Sequence, residues 1–226
     1  MNTNDIKYFA QQARLLLLEG VKQRLIYWGF DANGNNTETL KATHGGYLFR
    51  GEVHTDASVP AKWNALRRKA TSKQAVNDVV EQAAYTWFNR LMAIKILEEN
   101  QYIDPTLQYA EGVRTPLLVQ NAKQGNHSIK GEANRKLLTN LLKDNREEEA
   151  FSLLITNLCN EHNLLNNLFG YIDDYTELLI PQNLLQKEGV MDLINNGYIK
   201  QEDYQEVELI GWLYQFYISD KKEDVF

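Results

Sequence analysis

The chain has 226 residues, 43% of them apolar, with a net charge of -6 and a pI near 5.3. That length supports one sizeable core or two small ones. The acidic balance argues against a dedicated nucleic-acid module, which carries a basic excess, while leaving room for a local basic patch.

The first helix is expected to start after Thr3 or Asn4, both good caps, and to run through Ile6, Phe9, Ala13, Leu16, Leu17 and Val21 towards Ile26. Gly20 sits inside this pattern, and the helix should end near Trp28-Gly29, before the turn cluster 31–36. Residues 37–56 are the least helical part. Glycines surround the short run Tyr47 to Phe49, which predicts an irregular loop with at most a small hairpin near residues 43–54. Ser58 and Pro60 then open a helix with Trp63 and Leu66 facing inward. Arg67, Arg68, Lys69 and Lys73 form the densest basic run, and Ser72 is placed to cap the next helix.

That next helix is the central one, 74–99. Val76, Val80, Ala83, Trp87, Leu91 and Ile94 recur at helical spacing, and Ala84, Phe88, Met92 and Ile96 form a second stripe beside them. An apolar arc this wide predicts a helix enclosed by others. Asn89 and Arg90 interrupt it. A guanidinium there needs a carboxylate or carbonyl partner, so Arg90 is read first as a structural ion pair, and otherwise as a phosphate contact or interface anchor.

Asn100 is expected to stop this helix in a left-handed conformation. Prolines and glycines break residues 101–131 into a long connection with a short helix near Leu117 to Ala122. Beyond it, Ala133, Leu137, Leu138, Leu141 and Leu142 mark one helix. Ala150, Phe151, Leu154, Ile155 and Leu158 mark the next, with Glu147 to Glu149 at its positive end. The two should form an antiparallel pair. Asp174 and Glu177 have capping-box spacing. The last helix is expected to bury Val207, Ile210, Leu213, Tyr214 and Tyr217, with Lys221 and Lys222 just past its end. The fold class is all-α: an irregular multi-helix bundle that can divide into two lobes, 1–131 around the central helix and 132–226.

One cysteine, Cys159, permits no internal disulfide and predicts a reducing compartment. The N-terminus lacks the pattern of a signal peptide, and the longest apolar run, Leu15 to Leu18, is too short to span a bilayer. A cytoplasmic protein with no membrane partner is expected.

No catalytic constellation is legible. Gly45, Gly46 and Gly51 are the densest glycines, but no apolar strand precedes them as a methyl-donor turn requires. There is no Pro-Pro for the Asn/Asp-Pro-Pro-aromatic motif that holds a flipped base. Asp5 with Lys7 and Asp220 with Lys222 match a short nuclease pattern, but they flank helices, and chance explains them. Cys159 and His162 share a helix face, yet two ligands do not make a zinc site; a buried cysteine and a satisfied histidine are expected. His44, His54 and His127 are scattered in loops, and Asp173-Asp174 reads as a cap. No catalytic, cofactor or metal residue is assigned.

Three stretches nevertheless carry a resemblance. Residues 83–98, with Trp87, Asn89 and Arg90 in the run Ala83-Ala-Tyr-Thr-Trp-Phe-Asn-Arg-Leu-Met, are similar to the N-terminal helix of the PglX family. These are adenine-specific DNA methyltransferases of type 1 BREX phage-defence systems. Residues 172–185 and 208–226, the latter containing Trp212, also resemble that family. The resemblance implies an N-terminal piece of a longer enzyme whose methyltransferase core lies beyond Phe226. That core would use S-adenosylmethionine, and none of its catalytic residues maps onto this chain. It further implies a helical scaffold or DNA clamp. Arg67, Arg68, Lys69 and Lys73 are the phosphate candidates, and Trp87, Asn89, Arg90 and Trp212 the structural or interface candidates. The other classes left open are a module docking other BREX proteins or a phage inhibitor, and an independent small helical protein.

Overall fold

A computed structural model describes residues 1–223, with side chains through Ser219. The chain is mostly helical. Nine α-helices and a small antiparallel sheet lie among the described residues: α1 (Thr3–Tyr27), β1 (Lys41–Thr43), β2 (Gly46–Phe49), β3 (Glu52–His54), α2 (Val59–Lys69), α3 (Lys73–Glu99), α4 (Leu117–Lys123), α5 (Glu132–Lys143), α6 (Glu147–Glu161), α7 (Asn163–Phe169), α8 (Val190–Asn195) and α9 (Glu208–Glu223). Short 3-10 helices occupy Tyr175–Leu179 and Gln201–Gln205. None of the helices is long and apolar enough to cross a membrane.

α1 packs on α3 and α9. It begins earlier than expected because Asn2 is the cap, its side chain accepting from the Asn4 amide at 3.1 Å. Gly20 does not break the helix. A Cβ there would lie 2.1 Å from Asn183 Oδ1 and 2.8 Å from Pro181 Cβ, so glycine lets the chain at 181–183 press onto the helix. Asn183 Nδ2 donates to the Leu16 carbonyl across this contact at 2.9 Å. Ile26 falls outside the core, at 59% exposure. The helix closes on Trp28, whose indole donates to Leu178 O and whose carbonyl accepts from the Trp63 indole, both at 3.0 Å.

The segment expected to be loop with one hairpin is a three-stranded meander, β1-β2-β3, pairing Ala42 with Tyr47 and Leu48 with Val53. Arg50 and Gly51 join β2 to β3 with φ of 47° and 86°. Two positive φ angles are what a twisted two-residue hairpin demands, and a non-glycine at the first hides that turn in the sequence. The Arg50 side chain holds the position by donating to Ile26 O at 2.6 Å and Glu38 at 2.9 Å.

Ser72 caps α3 as expected, accepting from the Ala75 amide at 3.2 Å. Both apolar stripes of α3 are enclosed. Arg90 is buried without a carboxylate partner among the described residues, contrary to the ion pair first expected. Its Nη2 donates weakly to Phe169 O at 3.4 Å, and the guanidinium lies over Trp87 at 5.3 Å and Phe169 at 5.9 Å. Burial lowers its pKa. Asn100 is not left-handed (φ -90°); Gln101 takes that role at φ 60°. Asn100 instead donates to Ile96 O and to Tyr204 O, tying α3 to the second 3-10 helix.

α5 and α6 pack together, burying Leu138 and Leu141 against Phe151, Leu154 and Ile155. Ala133 is exposed. Glu148 does not stay at the solvated helix terminus. It accepts from the Leu184 and Leu185 amides at 2.8 and 2.9 Å. Burial pushes its carboxyl up to about 7, against the two N–H donors that favour the charged form. Asp174 caps its 3-10 helix, accepting from Thr176 N at 2.8 Å, but the capping box is left half made. Glu177 turns to Lys62, at 2.6 Å.

On α9 the buried residues are Leu209, Leu213 and Tyr217. Of the residues expected on this helix, Leu213 and Tyr217 are thus buried, Ile210 and Tyr214 face outward at 57% and 54% exposure, and Val207 precedes the helix at 85% exposure. The expectation for Lys221 and Lys222 concerns side chains outside the described residues. Buried residues from both expected lobes, 1–131 and 132–226, form a single cluster.

Gly20→Ala should lower stability by about 1–3 kcal/mol, the usual cost of overpacking, seen as a lower denaturant midpoint. Arg90→Met should leave stability within about 1 kcal/mol or raise it, since a desolvated cation is exchanged for an apolar chain of similar length; a large loss would restore the ion-pair reading. For Glu148, the folded-state value above the ordinary 4.5 means the folded protein holds the proton more tightly. Its contribution is therefore largest at low pH and declines as pH rises from 4.5 to about 7. Glu148→Gln should flatten the pH dependence of Tm across that window.

Candidate nucleic-acid interface

α2 ends and α3 begins around a three-residue link, Ala70 to Ser72. Arg67, Arg68 and Lys69 occupy the last turn of α2 and Lys73 the first position of α3. All four are exposed. The fold therefore brings together the four residues that the sequence marks as a run.

The link is fixed from below. Gly34, at φ 82°, packs so closely that a Cβ would lie 2.4 Å from the Ala70 carbonyl. The turn carrying Gly34 is closed by Asp31, which accepts from the Asn33 and Asn35 amides at 2.8 and 2.9 Å. Hydrogen bonds from Asn35, side chain and backbone, hold the Asp31 carboxyl below the usual range. Trp63, buried on the inner side of α2, presents its ring to the Arg67 guanidinium at 4.9 Å.

The charges themselves are unmatched. No ion pair engages Arg67, Arg68, Lys69 or Lys73 among the described residues, whereas Lys62, Lys95, Lys123 and Arg146 all bridge to carboxylates. Three of the four complement the negative C-terminal end of α2, so helix stability accounts for them. Lys73 is at the positive N-terminal end of α3, where the helix dipole opposes it. Helix formation gives no reason for a cation there. The chemical capability of the strip is to hold several anionic groups spaced along a surface, at solvent-exposed distances.

The other candidates lie elsewhere. Trp87 is buried under Arg90, and Asn89 is half-buried beside them. Trp212 is half-buried on α9, stacked on Phe216 at 5.4 Å. Cys159 is fully buried, and burial pushes its thiol up to about 11. His162 is not satisfied as expected: its Nδ1 is buried with no hydrogen-bond partner. His54 lies on β3 rather than in a loop, beside the Tyr27 hydroxyl at 2.8 Å. Among the described residues no three His, Cys, Asp or Glu side chains gather as a metal-binding group. Asp5 lies in α1 and accepts from Asn2 at 2.7 Å, while the side chains of Asp220 and Lys222 lie outside the described residues.

Sequence reasoning missed the inward turn of Glu148. Its signal was present: Glu148 precedes the buried Ser152 and Ile155 by one and two helical turns, on the same face.

No protein-family model matches the chain. Among its curated relatives is the adenine-specific methyltransferase BrxX of Escherichia coli O9:H4 (strain HS), 34% identical over 232 residues, an alignment taking in 100% of this chain and 19% of BrxX. Another is the adenine-specific methyltransferase PglX of Lacticaseibacillus casei (strain Zhang), 26% identical over 249 residues, taking in 100% of this chain and 20% of PglX. The chain thus spans about one fifth of the length of the relatives it matches. Aligned throughout to a part of each, it belongs to the family of the BrxX and PglX adenine-specific methyltransferases and corresponds to one segment of such a protein.

Proposed function

We propose that this segment is the N-terminal helical scaffold and DNA clamp of an S-adenosylmethionine-dependent, adenine-specific DNA methyltransferase in a BREX phage-defence system, and does not transfer methyl groups by itself. The observation carrying the clamp is the cationic strip at the α2–α3 junction. Its charges have no ion-pair partners among the described residues, on a chain of net charge -6. In this reading the strip lies along a phosphate backbone outside the recognised base, and the junction beneath it fixes the spacing. Phosphate contacts position a protein on DNA without reading its sequence. Recognition, methyl donor and chemistry then fall to the rest of the enzyme, working on cytoplasmic DNA.

A second reading has its own observation. Ile210 and Tyr214 on α9, with Val207 just before the helix, are exposed apolar residues on one side of the chain. They support docking of another BREX protein or a phage inhibitor.

The readings separate in the full-length enzyme. Reversing the charge at Arg67, Arg68, Lys69 and Lys73 should weaken DNA binding on all sequences alike. The slope of log affinity against log salt should become shallower by roughly 0.9 for every phosphate no longer neutralised. An unchanged affinity and slope would remove the clamp. Retention of a BREX partner by the isolated segment without DNA, abolished by Ile210→Asp, would favour docking.

A further inference from the structure

A cleft of about 510 Å3 opens between β3 and α2 on one side and α5 and α6 on the other, with the Tyr175–Leu179 helix at its floor. That is within the roughly 300–1,000 Å3 of small-ligand sites. Its carboxylates are already engaged. Glu52 accepts from the Tyr27 hydroxyl at 2.6 Å and pairs with Arg146 at 2.7 Å. Glu149 pairs with Arg146 at 3.0 Å, and Lys62 spans Asp56 and Glu177 at 3.0 and 2.6 Å.

Arg24 is different. Its Nε donates to Leu178 O at 3.3 Å, and its guanidinium lies over Tyr27 at 4.6 Å and Trp28 at 5.7 Å. No carboxylate is hydrogen-bonded to it among the described residues. Its two Nη groups are therefore fixed in direction by stacking and left without acceptors in the cleft wall. On the α6 side of the same cleft, Thr156 Oγ1 is buried without a partner among the described residues. One buried hydroxyl that desolvation should have forced into a hydrogen bond, and a guanidinium edge that no acceptor of the wall engages, thus line one cavity.

The charge around Arg24 selects the ligand. Glu52 and Glu149 lie close enough to favour its charged form. They would repel a second negative charge on anything bound there, which disfavours a phosphate dianion. A guanidinium edge matches the two oxygens of a carboxylate. Val59, Leu137, Leu141 and Leu153 supply an apolar wall. We infer that the cleft binds a monocarboxylate with an apolar body, its two oxygens on the Arg24 Nη pair and the Thr156 hydroxyl supplying a further hydrogen bond. The same chemistry is carried by a free small acid and by the C-terminus of an apolar peptide.

The test is calorimetric titration of the 226-residue chain with hexanoate, hexan-1-ol, orthophosphate, and the tripeptide acetyl-Ala-Ala-Leu in acid and amide forms. Hexanoate or the acid tripeptide should bind, and the alcohol, the amide and orthophosphate should not. Whichever of the two acids binds more tightly identifies the source. Arg24→Gln should weaken binding about tenfold or more, the usual loss for a charge-assisted hydrogen bond. Leu153→Trp fills the cleft with Arg24 intact and should abolish binding, so it carries the test if Arg24→Gln does not fold. The inference is overturned if neither acid binds at millimolar concentration, if orthophosphate or hexanol binds as tightly, or if Leu153→Trp or a folded Arg24→Gln keeps the parent affinity.

Discussion

Where a helix is enclosed it has to find partners for its ions inside the protein, and α3, enclosed from residue 83 onward, does so at its C-terminal end. Lys95 is buried between Glu98 and Glu99, at 2.7 and 2.5 Å. Glu98 uses its second oxygen to accept from the Thr106 and Leu107 amides at 2.8 and 2.6 Å. Removing one member of such a set would leave an uncompensated buried charge, at a cost of about 3–5 kcal/mol. The carboxylate therefore does two jobs. It neutralises a lysine that the apolar environment could not otherwise hold charged, and it organises the start of the 101–131 connection. Leu107 is fully buried as a result, and the strand-like contact of Tyr109 with Pro116 leads directly into α4.

The same rule shapes the rest of the molecule. Polar groups that enter the core are used to fasten one element to another: Asn183 to α1, Trp28 to both Leu178 and Trp63, Asn195 to the Leu107 carbonyl at 3.0 Å. With so many internal charges matched, the unmatched Lys73 at the start of α3 stands out as a cation that helix formation does not call for.

Much of the helical frame was legible. The two stripes of α3, the Ser72 cap, the α5–α6 pair and the short helix after Pro116 follow from apolar spacing and from residues whose conformational limits are strong. The misreadings have a common origin. Asn2, Asn100 and Arg50 each depended on backbone geometry that several residue types can adopt. On α9, aromatic and aliphatic residues occur nearly all round the helix, so composition could not choose between the Leu209–Leu213–Tyr217 face and the Ile210–Tyr214 face. Partner choice was the other hidden quantity. Arg24, Arg90 and Glu148 meet residues far along the chain, at Leu178, Phe169 and Leu184, and no local pattern encodes such meetings.

The lone cysteine gives this fold an internal clock. Cys159 is fully shielded, and its thiol is held protonated well past neutrality. An alkylating reagent meets neither surface nor thiolate while the helices stay closed. Modification would then proceed only through molecules that have opened around α6, and its rate at fixed reagent concentration would report the frequency of that opening.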